Sequence, residues 1–193
     1  NYTRSSSGSM FLTMDISASV NSLSINGIFS SSGNKYLKVI TGANALTVLN
    51  DLSINGAGGT GTDSIGLYAG TGSVVNVNGN VVVGQASGTN LKKCVIGAAS
   101  VTDEPDFYFK GNLTFNSTGR CFYPGSSGII PGSYYFEGSG SKSITNNNNS
   151  SNIYFGNVDI GGSSPLTLTV TGSNSDAIYT HYGNLTVNSG ATL

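Results

Sequence analysis

Apolar residues along this chain come in short alternating runs: Val75-Asn76-Val77, Leu113-Thr114-Phe115, Leu166-Thr167-Leu168-Thr169-Val170 and Leu185-Thr186-Val187. A period of two is the mark of a strand with one buried face. Helix is disfavoured twice over. The good helix formers Glu, Gln and Met are nearly missing (Glu104, Glu137, Gln85, Met10, Met14), and glycines interrupt every stretch long enough for several turns. The pattern predicts an all-β chain.

The runs also recur. A phrase of Gly-Asn or Asn-x followed by apolar, polar, apolar has its first apolar residue at Leu23, Leu52, Val81, Leu113, Val158 and Leu185, spacings of 29, 29, 32, 45 and 27 residues. A repeat of 27 to 32 residues holds three short strands and three bends. That is too little to enclose a core alone but enough for one coil of a stack. The expected fold is a parallel β-helix (β-solenoid) running through residues 1–193 as a single segment. The sequence stops inside a repeating phrase at Ala191-Thr192-Leu193 with no cap over the stack, so a longer parent chain is expected. The six first-apolar residues should form one inward ladder, with Ile25, Ile54, Val83, Phe115, Ile160 and Val187 beside it. Ser24, Ser53, Val82, Thr114, Asp159 and Thr186 should face solvent. The runner-up, an antiparallel β-sandwich, has no reason to repeat one phrase at a fixed interval.

The 45-residue gap marks an irregular coil or insertion around 120–152, where Pro124, Gly125, Pro131 and Gly132 punctuate turns. The favoured reading is two coils, one with a weakened phrase that puts Lys142 and Ile144 in the ladder. Asn80, Asn112, Asn157 and Asn184 precede ladder residues, where the side chain can hydrogen-bond the neighbouring coil's backbone or the residue can accept a left-handed conformation. A second echo is aromatic: Phe107-Tyr108-Phe109, Tyr134-Tyr135-Phe136, Ile153-Tyr154-Phe155 and Ile178-Tyr179. These should stack as another ladder, chiefly for packing, with a sugar-stacking platform as the second reading.

Composition narrows the function. Charged residues are 9% of the chain, 8 basic against 9 acidic, so the Lys/Arg clusters that carry nucleic-acid affinity are missing. No apolar run reaches the roughly 18 residues of a transmembrane helix, so no membrane insertion is expected. Disorder does not fit a chain of near-zero net charge with this much patterned Leu, Ile, Val and Phe.

Candidate chemistry is thin. β-Helix lyases and glycoside hydrolases set carboxylates on one face; the carboxylates here are Asp103, Glu104 and Asp106 around Pro105, Asp159 in a ladder phrase, and Asp176 in a loop. His181 is the only histidine, which gives no ordered Ser/His/Asp set and no zinc spacing. The Gly56–Gly61 stretch has neither the Lys nor the following helix of a phosphate loop. No catalytic, cofactor or metal residue is assigned, and the chain is read as non-enzymatic. The two cysteines, Cys94 and Cys121, lie 27 residues apart, about one coil. Equivalent positions in neighbouring coils come near 4.8 Å, within disulfide range. Side chains in register point the same way, however, and a buried thiol also packs well as a small hydrophobe.

The phrase Gly183-Asn184-Leu185-Thr186-Val187-Asn188-Ser189-Gly190-Ala191-Thr192-Leu193 resembles repeats of very large surface proteins of the Bacteroidota, including gliding-motility adhesins and other type IX secretion cargo. It also looks like the passenger domains of autotransporter adhesins. The resemblance implies an extracellular, cell-surface location and a structural stalk or adhesive segment serving adhesion or surface motility. Its partners would be other segments of the same chain and an extracellular surface or glycan. The alternative is a glycan-binding module, and behind it a polysaccharide lyase or glycoside hydrolase. Within that resemblance Asp63-Ser64-Ile65 fits the Bacteroidota O-glycosylation pattern, making Ser64 a candidate acceptor in an exposed glycine-rich loop. The N-x-S/T triplets at Asn112, Asn116 and Asn184 are read as by-products of the ladder.

Overall fold

The computed structural model describes residues 2–6, 9–29, 36–58, 64–84, 93–100, 102–116, 119–121, 132–147, 153–162, 164–172, 178–180 and 183–193. Three strands make one coil. In chain order they are β1 (Tyr2–Ser6), β2 (Met10–Thr13) and β3 (Ala18–Val20), then β4 (Leu23–Phe29), β5 (Tyr36–Ile40) and β6 (Leu46–Val48). Next come β7 (Leu52–Gly58), β8 (Ser64–Ala69) and β9 (Val74–Val77), followed by β10 (Val81–Val83), β11 (Lys93–Ala98) and β12 (Asp106–Phe109). After these run β13 (Leu113–Asn116), β14 (Gly119–Cys121) and β15 (Ser133–Phe136), then β16 (Gly140–Asn147), β17 (Ile153–Phe155) and β18 (Asn157–Ile160). The chain finishes with β19 (Leu166–Gly172), β20 (Ile178–Thr180), β21 (Leu185–Val187) and β22 (Ala191–Thr192).

Every third strand returns to the same side. The first side is an eight-stranded sheet, β1-β4-β7-β10-β13-β16-β19-β22, and the third a seven-stranded sheet from β3 to β21. The second side is β2-β5-β8-β11-β14, continued by the pair β17-β20, with β17 lying beside β14. The pairings are parallel throughout, in coils of about 28 residues, and the chain is a β-solenoid. Neither an antiparallel pairing nor a helix occurs among the described residues.

On the first side Leu23, Leu52, Val81 and Leu113 stand in direct register, with Ile25, Ile54, Val83 and Phe115 beside them. From Leu52 onward these ladder side chains are buried, each contributing roughly 1.5–3 kcal/mol by leaving water. The column then passes to Ile144 and Val170. The irregular stretch therefore does hold an extra coil, but Ile144, not Lys142, takes the ladder position, and the neighbouring column turns polar at the buried Asn146.

Val158 and Leu185 correct the single-ladder expectation. Val158 pairs with Tyr134 and Leu185 with Val158 on the third side, in the column Ala18, Leu46, Val75, Phe107, Tyr134, Val158, Leu185. The reason is physical: a bend followed by in-out-in alternation suits any side of a three-sided coil, so the phrase fixes which way residues face and not which sheet they join.

The aromatic echo divides the same way. Phe107 stacks on Tyr134 with ring centroids 5.1 Å apart, and Phe109 lies 5.6 Å from Phe136. Ile153-Tyr154-Phe155 instead pairs with Ile178-Tyr179-Thr180 on the second side. From there Phe155 meets Phe115, Tyr134 and Phe136 edge-on across the core, at 6.2, 5.0 and 5.7 Å. One ring thus ties all three sides together.

At the corner before the first side the polar side chains form their own stack. The Asp51 carboxylate accepts the backbone N–H of Asn80 (2.7 Å), the Asn80 carbonyl that of Asn112 (3.1 Å), and the Asn112 carbonyl that of Ser143 (2.9 Å). On the third side Asn157 does the same for Asn184 (3.1 Å). The preceding glycines are steric necessities: a Cβ on Gly111 would overlap the carbonyl of Gly79, and one on Gly183 the carbonyl of Gly156.

Candidate functional site

The outward column of the third side is the place where chemistry-bearing residues gather. It runs Ser19, Thr47, Asn76, Tyr108, Tyr135, Asp159, Thr186. Period-two alternation dictates this: Phe107 and Phe109 turn inward, so Tyr108 between them must turn out, and Tyr135 follows between Tyr134 and Phe136. The two tyrosine rings lie parallel within 8°, centroids 4.4 Å apart.

Tyr135 is the side-chain hydrogen-bonding neighbour of both Asp106 and Tyr108. Burial lifts Asp106 above the ordinary carboxylate range, with the Tyr135 bond pulling the other way. Burial first, then the nearby charges of Asp106, Tyr135 and Glu137, raise the Tyr108 phenol above its usual value.

Beyond Tyr135 the column drops from a ring to the smaller Asp159 and Thr186. The step leaves a groove of about 220 Å³ lined by Ser133, Tyr135, Asn157, Val158, Asp159, Asn184 and Thr186. Asp159 is held in place by the Asn188 amide, which also donates to the Gly161 carbonyl (3.0 Å).

The remaining candidates are scattered. Asp103 accepts from the Thr71 hydroxyl at 2.9 Å across one coil, and of the acids around Pro105 only Asp106 reaches the tyrosine face. Asp176 and His181 lie outside the described residues. Among the described residues no three His, Cys, Asp or Glu side chains come together, and no helix is long and apolar enough to cross a membrane.

Ser64 is not in an exposed loop. It opens β8, is only 7% exposed, and its hydroxyl shares a 3.2 Å bond with Tyr68. Lys38 of the preceding coil sits 4.6 Å from the Tyr68 ring, and burial lowers its pKa. The two cysteines stand in neighbouring coils, close in phase but not at equivalent positions. The buried Cys94 pairs with Gly119, and Cys121 with Ile96, a two-residue offset that separates the Cα atoms by ~8 Å. The side chain of Cys121 lies outside the described residues.

Compared with known proteins, the chain matches no family model, and neither a curated protein nor a solved structure is significantly similar to it.

Proposed function

We propose that this chain is a structural segment of a large exported cell-surface protein, a stalk that spaces or presents adhesive regions for attachment or surface motility. The observation that carries this reading is the uninterrupted eight-stranded first side, stacked at ~4.8 Å per strand into a rod edge of roughly 35 Å, with coils bonded to one another through the Asp51, Asn80 and Asn112 side chains at the corner before it. Its outward faces support the reading as well. Ser24 and Ser53 pair at 3.0 Å, Asn26 and Asn55 at 3.2 Å, Thr145 and Thr171 at 3.2 Å, and Asn116 and Asn147 at 3.1 Å. These uncharged ladders stiffen the stack without ion pairs, which salt would screen. The resemblance of the Gly183–Leu193 phrase to Bacteroidota surface repeats points the same way.

Antibodies raised against the folded segment are expected to label intact, unpermeabilised cells, and in-frame removal of the segment to reduce surface attachment. Labelling that requires permeabilisation would overturn the proposal.

A further inference from the structure

We propose that the groove beside Tyr135 is a carbohydrate subsite for a neutral hexopyranose of β-gluco configuration, the sugar ring taking the place of the next ring in the tyrosine stack. This goes beyond the stalk reading and stands or falls separately. One face of Tyr135 is covered by the parallel ring of Tyr108 at 4.4 Å; its other face turns toward the following coil. There the equivalent residue is Asp159, too small to cover it, and the vacancy is the groove.

A flat, mostly apolar ring fits that position. A pyranose whose hydroxyls are all equatorial presents a C–H face to the aromatic ring and carries its hydroxyls around the edge. Those hydroxyls meet Asp159, Asn157, Asn184 and Thr186, the pairing of one aromatic surface with a few convergent polar groups that small-ligand sites use. At about 220 Å³ the groove admits one sugar ring; drug-sized ligands need roughly 300–1,000 Å³.

Charge selects among sugars. The lining includes one carboxylate and no cation; outside it the same face carries Asp106, Glu137 and, beside Glu137, Lys110. A uronate placed in the groove meets the Asp159 carboxylate with no cation in the lining to pair it, so neutral sugars are preferred.

Proton–nitrogen correlation spectra of the whole chain, titrated with methyl β-D-glucopyranoside and cellobiose, test the proposal. Saturable shifts are expected at the amides of Tyr135, Asp159 and Thr186, with millimolar affinity for the monosaccharide. Methyl β-D-glucuronide should bind at least about fivefold more weakly, a penalty near 1 kcal/mol. Tyr135→Phe keeps the stacking face and should stay within about threefold of the parent, while Tyr135→Ala should lose about tenfold or more. Asp159→Phe guards against simple misfolding: it extends the aromatic stack, should leave the fold intact, and should abolish binding by filling the groove. The proposal is overturned by spectra that do not saturate up to about 50 mM sugar, by a folded Tyr135→Ala or Asp159→Phe protein that binds like the parent, or by glucuronide binding as tightly as the glucoside.

Discussion

Glycine serves two different ends at the corners of the coils. Gly111 has no Cβ because the Gly79 carbonyl occupies its space, whereas Gly42 adopts a left-handed φ of 60° with nothing within 4 Å of where a Cβ would be. Gly111→Ala forces backbone apart and should cost about 3 kcal/mol or more. Gly42→Ala pays only for conformation, about 1–2 kcal/mol. Urea unfolding of both variants measures the gap, and equal costs would contradict the close corner stacking. Asn80→Ala removes the acceptor for the Asn112 N–H and should cost about 1 kcal/mol. Tyr108 gives a pH readout. Its folded-state pKa is raised, so its contribution to stability is fully present below the unfolded value near 10 and is lost as pH rises through the folded value. The difference in phenolate absorbance between the parent and Tyr108→Phe should therefore show a titration later than that of a free tyrosine.

Within an element, adjacent residues carry opposite weight. In β13 Leu113 is fully buried and Thr114 half-exposed, so Leu113→Asp should cost several kcal/mol by burying an unpaired charge and Thr114→Asp about 1 kcal/mol or less. Denaturant midpoints of the pair check the ladder. Much of this was legible in the chain: the 29-residue return of Leu23, Leu52 and Val81, the inward pairs two apart, and the asparagines that bond across coils. What pattern does not encode is which side of the coil a phrase joins, so Val158 and Leu185 carry the same words as Leu113 yet lie in another sheet. The cysteine offset has a related cause, because spacing counts bend residues that do not advance the strand register. The tyrosine face was half-visible. Tyr108 and Tyr135 alternate with inward Phe and Tyr residues at the same point of two coils, but treating each aromatic run as one unit hid the outward ring. The groove beside Tyr135 has no signal of its own, arising only where a ring in one coil meets a small residue in the next.

For the molecule as a whole, each coil touches only its neighbours, so stability is close to a sum of coil and interface contributions. Removing residues 52–80 takes out one 29-residue repeat and joins Asp51 to Val81, which would then stack on Leu23 as Leu52 does now. The shortened chain is expected to fold, with β-rich circular dichroism and a lower unfolding midpoint. Deleting 52–66 instead breaks the three-sided cycle and should leave an aggregated or unfolded product. If both deletions behave alike, the coils are not interchangeable units.

The same register has a genetic consequence. Leu23–Gly27 and Leu52–Gly56 are identical, Leu-Ser-Ile-Asn-Gly in each case, and they lie against each other residue for residue. Unequal recombination between the DNA stretches encoding them gains or loses one whole coil in frame, so alleles of this protein should differ in length by multiples of a repeat while keeping the tyrosine face unchanged.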